Sequence, residues 1–273
     1  MKLQGISALY FSPTGSTAKA AGTIAEALAV QLDLPVEENS FTRLTEREKE
    51  YSFTDTDLVV IASPTYAGKL PNKILPDFQG KLHGNGALAV PVVTFGNRSY
   101  DNSLAELCAV LEESGFRIVA AGAFVCRHAF TDELAYGRPG WSDSFEMKTF
   151  AKKIADKIRG LADAVPPLQV PGDAAAPYYV PKDLDGQPAK FLKAKPKTKL
   201  SKCNRCGACV RMCPMGAIDP KDPSRVPGTC IKCQACVRKC TKQAKYFDDP
   251  AFLSHVAMLE ANYAEPKENE IFL

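Results

Sequence analysis

Apolar and polar positions alternate in two different periods through the first 160 residues. Short apolar runs take turns with stretches whose apolar residues recur every three or four positions. ISALYF (6–11) is followed by an Ala-rich helical pattern to about Gln31. A short run near Pro35–Ser40, then DLVVIAS (57–63), ALAVPVVTF (87–95) and FRIVAAGAFV (116–125), read as further strands. Between the last two, NSLAELCAVLEESG has helical spacing and is ended by Gly115. A final helix is predicted over SDSFEMKTFAKKIADKIRGL, opening near Ser142 or Ser144 and ending by Leu161. Runs that are apolar on both faces are strands buried between helices. The fold class is therefore α/β, a doubly wound parallel sheet of five strands in the order 2-1-3-4-5.

The texture changes at Val165. VPPLQVPGDAAAPYYVPKDLDGQP is rich in proline and small residues, and lysines crowd 190–202. The expected organisation is a first domain over 1–164, a linker over 165–198, a cysteine-rich module over 199–248 and a tail over 249–273. In the tail, AFLSHVAMLEANYA is helix-like and expected to pack back on one of the domains.

Hydrophobic content of 45% and charged content of 24% are ordinary for a globular chain, and no apolar run approaches a membrane span. MKLQGISALYF turns polar too soon for a secretion signal, which predicts a cytoplasmic protein with reduced thiols. The net charge of +3 hides an asymmetry. Residues 190–245 hold 15 Lys and Arg against Asp219 and Asp222, a formal +13, leaving −10 elsewhere. That basic face suits an acidic partner, or the acidic half of the same chain.

Of ten cysteines, Cys108 and Cys126 stand alone and read as buried core thiols. The other eight form Cys203-x2-Cys206-x2-Cys209-x3-Cys213-Pro214 and Cys230-x2-Cys233-x2-Cys236-x3-Cys240. Zinc ribbons use two separated CxxC pairs, whereas three cysteines in one tight loop suit a corner of an iron–sulfur cubane. Residues 199–248 resemble a bacterial two-[4Fe–4S] ferredoxin, a small α+β domain. The resemblance implies cluster one on Cys203, Cys206, Cys209 and Cys240, and cluster two on Cys230, Cys233, Cys236 and Cys213. Thr241 departs from the proline expected after Cys240.

SPTGST (12–17) follows the first strand. Gly15 permits a tight turn, and Ser12, Thr14, Ser16 and Thr17 offer hydroxyls at a helix start, where backbone N–H groups favour an anion. The loop lacks the GK[ST] of a nucleoside-triphosphate site and is not GxGxxG. After the third strand come Pro64, Thr65, Tyr66, Ala67 and Gly68. Thr94 and Phe95 close the fourth strand, and Gly96, Asn97, Arg98, Ser99, Tyr100 and Asp101 follow. The three loops resemble those of flavodoxins, which implies a flavodoxin-like fold and FMN. The first loop would hold the phosphate, Tyr100 would stack on the flavin ring, Tyr66 would face its other side, and Gly68 would let a peptide reorient with redox state.

The whole chain resembles flavodoxin–ferredoxin fusion proteins, also called EFR-type ferredoxins. This implies an electron-transfer protein carrying FMN and two [4Fe–4S] clusters, with a redox protein as donor or acceptor. An alternative is an FMN-dependent reductase of a small molecule, with Tyr66, Arg98 and His128 as catalytic candidates; no NAD(P)H fingerprint is visible. The basic segment has only Phe191 in its lysine stretch, which disfavours nucleic acid. The opposite charges of the two halves predict a docked state sensitive to salt. The length of the linker also allows a homodimer with exchanged modules.

Overall fold

The structure is a computed structural model that describes residues 2–161 and 165–273. The domain boundary expected at 164 lies outside the described residues. The first part runs β1 (Gly5–Tyr10), α1 (Ser16–Leu32), β2 (Val36–Ser40), α2 (Leu44–Arg47), β3 (Tyr51–Ser52), β4 (Asp57–Pro64) and α3 (Leu75–Lys81). It continues with β5 (Leu82–His83), β6 (Leu88–Phe95), α4 (Ser103–Glu113), β7 (Arg117–Ile118), β8 (Ala121–Val125) and α5 (Trp141–Gly160). The remainder holds β9 (Lys197–Thr198), α6 (Ala208–Arg211), α7 (Ala235–Arg238), β10 (Lys245–Tyr246), α8 (Pro250–Asn262) and β11 (Glu270–Phe272).

β2, β1, β4, β6 and β8 lie side by side and parallel, in the expected order. The sheet differs from expectation in two ways. The run 116–125 is broken into β7 and β8, because Ala89 opposes Ile118 and Val92 opposes Gly122. Three residues thus face two across this gap, where Pro91 has no N–H to give to the ladder. The chain's last strand, β11, also adds antiparallel to the outer edge of β8.

One face of the sheet is covered by α1 and α5, which meet through Ala20, Ala21, Ala151 and Ala155, small enough to bring the helices close. The other face carries α3 and α4 over Val59, Ile61, Ala89 and Val93. Since the five main strands are parallel, the loops after β1, β4, β6 and β8 gather at one edge, where such sheets bind ligands.

The cysteine-rich part repeats its own backbone. In each run the residue before the second cysteine (Arg205, Lys232) and the one after it (Gly207, Gln234) are left-handed. A four-residue helix follows in both, reading ACVR each time. The two halves close through β9 and β10.

This part sits against the sheet through apolar and arginine contacts. Met215 and Ile231 pack on the sheet's core. Arg47, only 3% exposed, donates to Pro214 O at 2.6 Å. Arg238 donates to the carbonyls of His128, Ala129 and Thr131 and pairs with Asp132. That is the one ion pair between 199–248 and the first 161 residues, among the described residues. Charge was expected to hold the two halves together; the contact instead rests on apolar packing and carbonyl acceptors. The tail adds a second clamp: Phe252 of α8 packs on Phe130 and Phe191, while Leu259 and Met258 meet Leu134.

Candidate cofactor sites

Cys213, Cys230, Cys233 and Cys236 surround one cavity. Cys203, Cys206, Cys209 and Cys240 surround a second. Each cage therefore takes three thiols from one run and the fourth from the other. The backbone aims donors at the remote sulfurs: Ala217 N–H lies 3.3 Å from Cys213 Sγ, and Ala244 N–H lies 3.3 Å from Cys240 Sγ. Lys232 N–H makes a similar contact, 3.4 Å, to Cys230 Sγ. Such N–H groups stabilise a ligating sulfur's negative charge. Burial opposes ionisation at Cys240, yet the N–H groups of residues 242–245 outweigh it and hold that thiol low.

The cages differ in surroundings. Cys233 is buried, and burial pushes its thiol well above the usual range and that of Cys236 up to about 12. Cys206, in the other cage, is exposed. Among the described residues, no three His, Cys, Asp or Glu side chains converge as on a single ion. The thiols ring a volume instead, and a donor set of four sulfurs around it fits a cubane with one thiol per iron.

Lys245 lines the outward cage and is 4% exposed. Its ammonium donates to Pro223 O and forms no ion pair among the described residues. Its charge opposes the upward push of burial on Cys209 of one cage and Cys236 of the other. Nothing in the sequence marked this lysine among its fourteen basic neighbours.

At the sheet edge, the SPTGST loop fits an anion. Gly15 caps α1 at φ 103°, a conformation that L side chains rarely adopt, and a side chain there would project into open space. Gly15 has no side chain to cap the helix and no acid sits in the first turn, so no negative charge offsets its positive end. Ser12 Oγ accepts from Ala18 N–H, leaving its own proton free to donate. Thr17 shares a 2.7 Å hydrogen bond with Thr94. Thr14 and Ser16 are half-buried on the same turn.

The other two loops are tied to each other. Thr65 N–H reaches Thr94 O at 2.8 Å, and Thr65 Oγ1 bonds Ser103 Oγ at 2.6 Å. Asn102 N–H reaches Gly68 O at 2.9 Å, and a Cβ on Gly68 would come 2.3 Å from Asp101 Oδ2. Ala67, Asn97 and Asp101 are held left-handed, a strain that functional loops often store. Pro64 and Phe95 end their strands beside these loops.

Two later segments roof the loops. Lys69 forms a buried ion pair with Glu106 at 2.9 Å and donates to Ala174 O and Ala176 O. Tyr178 OH donates to Leu70 O. Arg98 pairs with Asp101 and lies 4.1 Å from the centre of the Tyr179 ring. From the tail, Tyr263 O and Glu265 O accept from the Asn97 side chain. Tyr100, expected to stack on a ligand, packs against Phe95 in the core and donates its hydroxyl to Glu270 at 2.7 Å.

Tyr66 is half-buried, and burial, with the Cys233 and Cys230 sulfurs beside it, pushes its hydroxyl well above the usual range. This loop after β4 is thus on the side of the sheet edge that faces the cage of Cys230 and Cys233, whose Ile231 packs on the sheet's core. His128 packs so tightly on Gly96 that a Cβ there would come 2.3 Å from its ring. Its Nδ1 accepts from Phe130 N–H at 3.1 Å, which places the proton of the neutral ring on Nε2. Burial, then His255, Arg238 and Arg98, bring its pKa down to about 4. Cys108 and Cys126 are both buried away from the cages, and burial raises each to about 12. Sequence reasoning missed Arg47, whose stretch LTEREKEY reads as charged surface, and Lys69, whose acid partner lies far along the chain.

A 4Fe-4S binding domain family matches residues 196–219, so the first cysteine run belongs to a segment of that kind. No curated protein matches the chain. Solved structures similar to it include a flavodoxin from the domain Archaea, 15% identical, over 57% of this chain and 99% of that one, at a TM-score of 0.41. A flavodoxin of Streptococcus pneumonia TIGR4 is 20% identical over 56% and 99%, at 0.39. An NADH:FMN oxidoreductase, EmoB in its apo form, is 18% identical over 59% and 91%, at 0.42. At such identities and TM-scores these likenesses say nothing of what this chain binds. Among the described residues, no helix is long and apolar enough to cross a membrane.

Proposed function

We propose that the chain is an electron-transfer protein that holds FMN at the carboxyl edge of its sheet and a [4Fe–4S] cluster in each thiol cage. When bound, FMN exchanges one or two electrons and each cluster exchanges one. The observation that carries this reading is the seating of one cage on the sheet: Met215 and Ile231, which line the cage of Cys213, Cys230, Cys233 and Cys236, pack on the sheet's core, and its Cys233 and Cys230 act electrostatically on Tyr66. Flavin and clusters on one chain replace a collision between two proteins with an internal step.

The protein's own residues bind and shield. Ser12, Thr14, Gly15, Ser16 and Thr17 would hold the phosphate through hydroxyls and uncapped N–H groups. Thr65, Tyr66 and Ala67, with Gly96, remain for the ring, since Tyr100, Asn97, Arg98 and the Thr94 hydroxyl are engaged elsewhere. The 174–179 strap and the tail keep those loops in place and exclude water from their outer side. Eight thiols outside disulfides suit a reducing compartment such as the cytoplasm, and a redox protein is the natural partner.

No observation favours the reductase reading: Arg98 is spent on Asp101 and Tyr179, and the His128 ring is buried against Gly96. The test is Gly15→Val in protein purified without air. The variant is expected to lose bound flavin while keeping its iron and sulfide; flavin retained at wild-type affinity would refute the phosphate site.

A further inference from the structure

The basic charge of residues 190–245 has a destination that the fold narrows. Of its 15 basic side chains, only Arg238 makes an ion pair with the acidic first part, among the described residues. Most of the charge is therefore free to face something outside the chain. It is also not spread evenly over function. The cage of Cys203, Cys206, Cys209 and Cys240 opens outward at the exposed Cys206. Arg205 and Lys242, both exposed, line that cage, and exposed Lys202 precedes its first cysteine. None of the three makes a salt bridge or side-chain hydrogen bond among the described residues. Arg205 feels Asp222, whose carboxylate Ser224 already satisfies. The other cage is covered instead: Cys233 is buried, and Met215 and Ile231, which line it, pack on the sheet's core.

We infer that Lys202, Arg205 and Lys242 form the docking face for an acidic electron-carrier protein, centred on the outward thiol cage. This rests on the reading of the cages as cluster sites. One electron leaves the reduced centre of the carrier and enters this chain; no atom or proton moves between them. A patch of this kind steers a short-lived encounter, raising the association rate at low salt, and a small polar contact suffices for such exchange. An acidic protein is favoured over nucleic acid because the positive charge rings an exposed cysteine of a 4Fe-4S-binding segment, where a redox centre must come close. The lysine stretch itself offers only Phe191, already packed on Phe252 and His255, for base stacking.

The test uses a chemically reduced, strongly acidic two-[4Fe–4S] ferredoxin as the probe, mixed anaerobically with the full chain. The second-order rate of electron arrival is expected to fall about tenfold between low and high salt. Lys202→Glu/Arg205→Glu/Lys242→Glu is expected to slow it about tenfold at low salt and to match wild type at high salt. Lys148→Glu/Lys152→Glu/Lys153→Glu, the same charge change on exposed positions of α5, is expected to leave it nearly unchanged. If the first variant lacks wild-type iron, the Gln triple at the same positions is used, with about half the effect on the logarithm of the rate. Equal rates for the two Glu triples, or a salt-independent wild type, overturn the inference while iron analysis upholds the cages. Wild-type protein without iron overturns the cage reading and this inference with it. Tighter binding of a single-stranded oligonucleotide than of the ferredoxin, abolished by the same triple, would assign the face to nucleic acid.

Discussion

Lys245 is a buried cation whose only hydrogen-bond acceptor, among the described residues, is a neutral carbonyl. Lysines are rarely buried unless their charge is matched. On the proposed reading the matching charge would be the ligating sulfur of the two cages, since the thiols of Cys209 and Cys236 both feel the lysine. Lys245→Met is accordingly expected to lower the midpoint potential of cluster reduction by an amount on the order of tens of millivolts. Lys245→Arg should hold it closer to wild type; a potentiometric titration read by EPR distinguishes them, and unchanged potentials would remove the lysine from this role. His128 carries the opposite lesson. Its folded pKa of about 4 lies below the ordinary 6.5, so the unfolded chain takes up a proton that the folded one refuses. Stability is full above about pH 6.5 and falls as pH drops toward 4, by roughly 3 kcal/mol from this group. His255, also lowered by burial, adds in the same direction, while Arg98 and Arg238 face His128 and keep it neutral. Urea unfolding at several pH values should show this loss, and His128→Gln should flatten the curve across that window whatever its stability at pH 7.

The Lys69–Glu106 pair ties the loop after β4 to α4 and, through Ala174 O and Ala176 O, to the strap. Both side chains are about 8% exposed, so losing one partner leaves a buried charge. Lys69→Met should cost about 3–5 kcal/mol, and adding Glu106→Gln should recover part of it. Chemical unfolding of the two variants checks this, and equal stability of Lys69→Met and wild type would mean the pair is not needed. At this scale the limits of sequence reading are physical. Four of the five main strands were legible because each holds a dense apolar run bounded by polar turns, while polar β2, VEENS, was placed by its position between α1 and the next apolar run. The break in the last was not, because the β7–β8 irregularity depends on which residue of a neighbouring strand is Pro91. β11 went unseen because three residues, EIF, carry too little pattern. The strap read as a linker because its proline and small residues carry no period, while its anchors are two carbonyls and the side chains of Tyr178 and Tyr179, whose partners lie far away in sequence. The SPTGST turn was legible as a strand-to-helix junction because Gly15, held at φ 103°, is itself the residue such a turn needs. The tie of Tyr100 to Glu270 was not legible because that partner comes from the far end of the chain.

Across the whole molecule, the cysteine-rich part and the sheet are joined by apolar contacts of Met215 and Ile231 and by arginines on carbonyl oxygens. The charge asymmetry, plain in the sequence, suggested a salt-sensitive contact, but sequence alone does not tell which charges face inward. Electron exchange within the chain should therefore be unchanged between low and high salt, while exchange with an outside carrier is not; a salt-dependent internal rate would return the electrostatic account. The same geometry sets a direction, with an outward cage at exposed Cys206 and a covered one seated on the sheet's core through Met215 and Ile231. The central claim is that one chain holds all three redox sites. It is tested most directly by an anaerobic reductive titration of the reconstituted protein, read by visible absorption and EPR beside iron and flavin analysis. One FMN and about eight iron atoms per chain, with signals of two interacting [4Fe–4S] clusters, is the expected result. Iron without flavin, or about four iron atoms with one cage vacant, would contradict it.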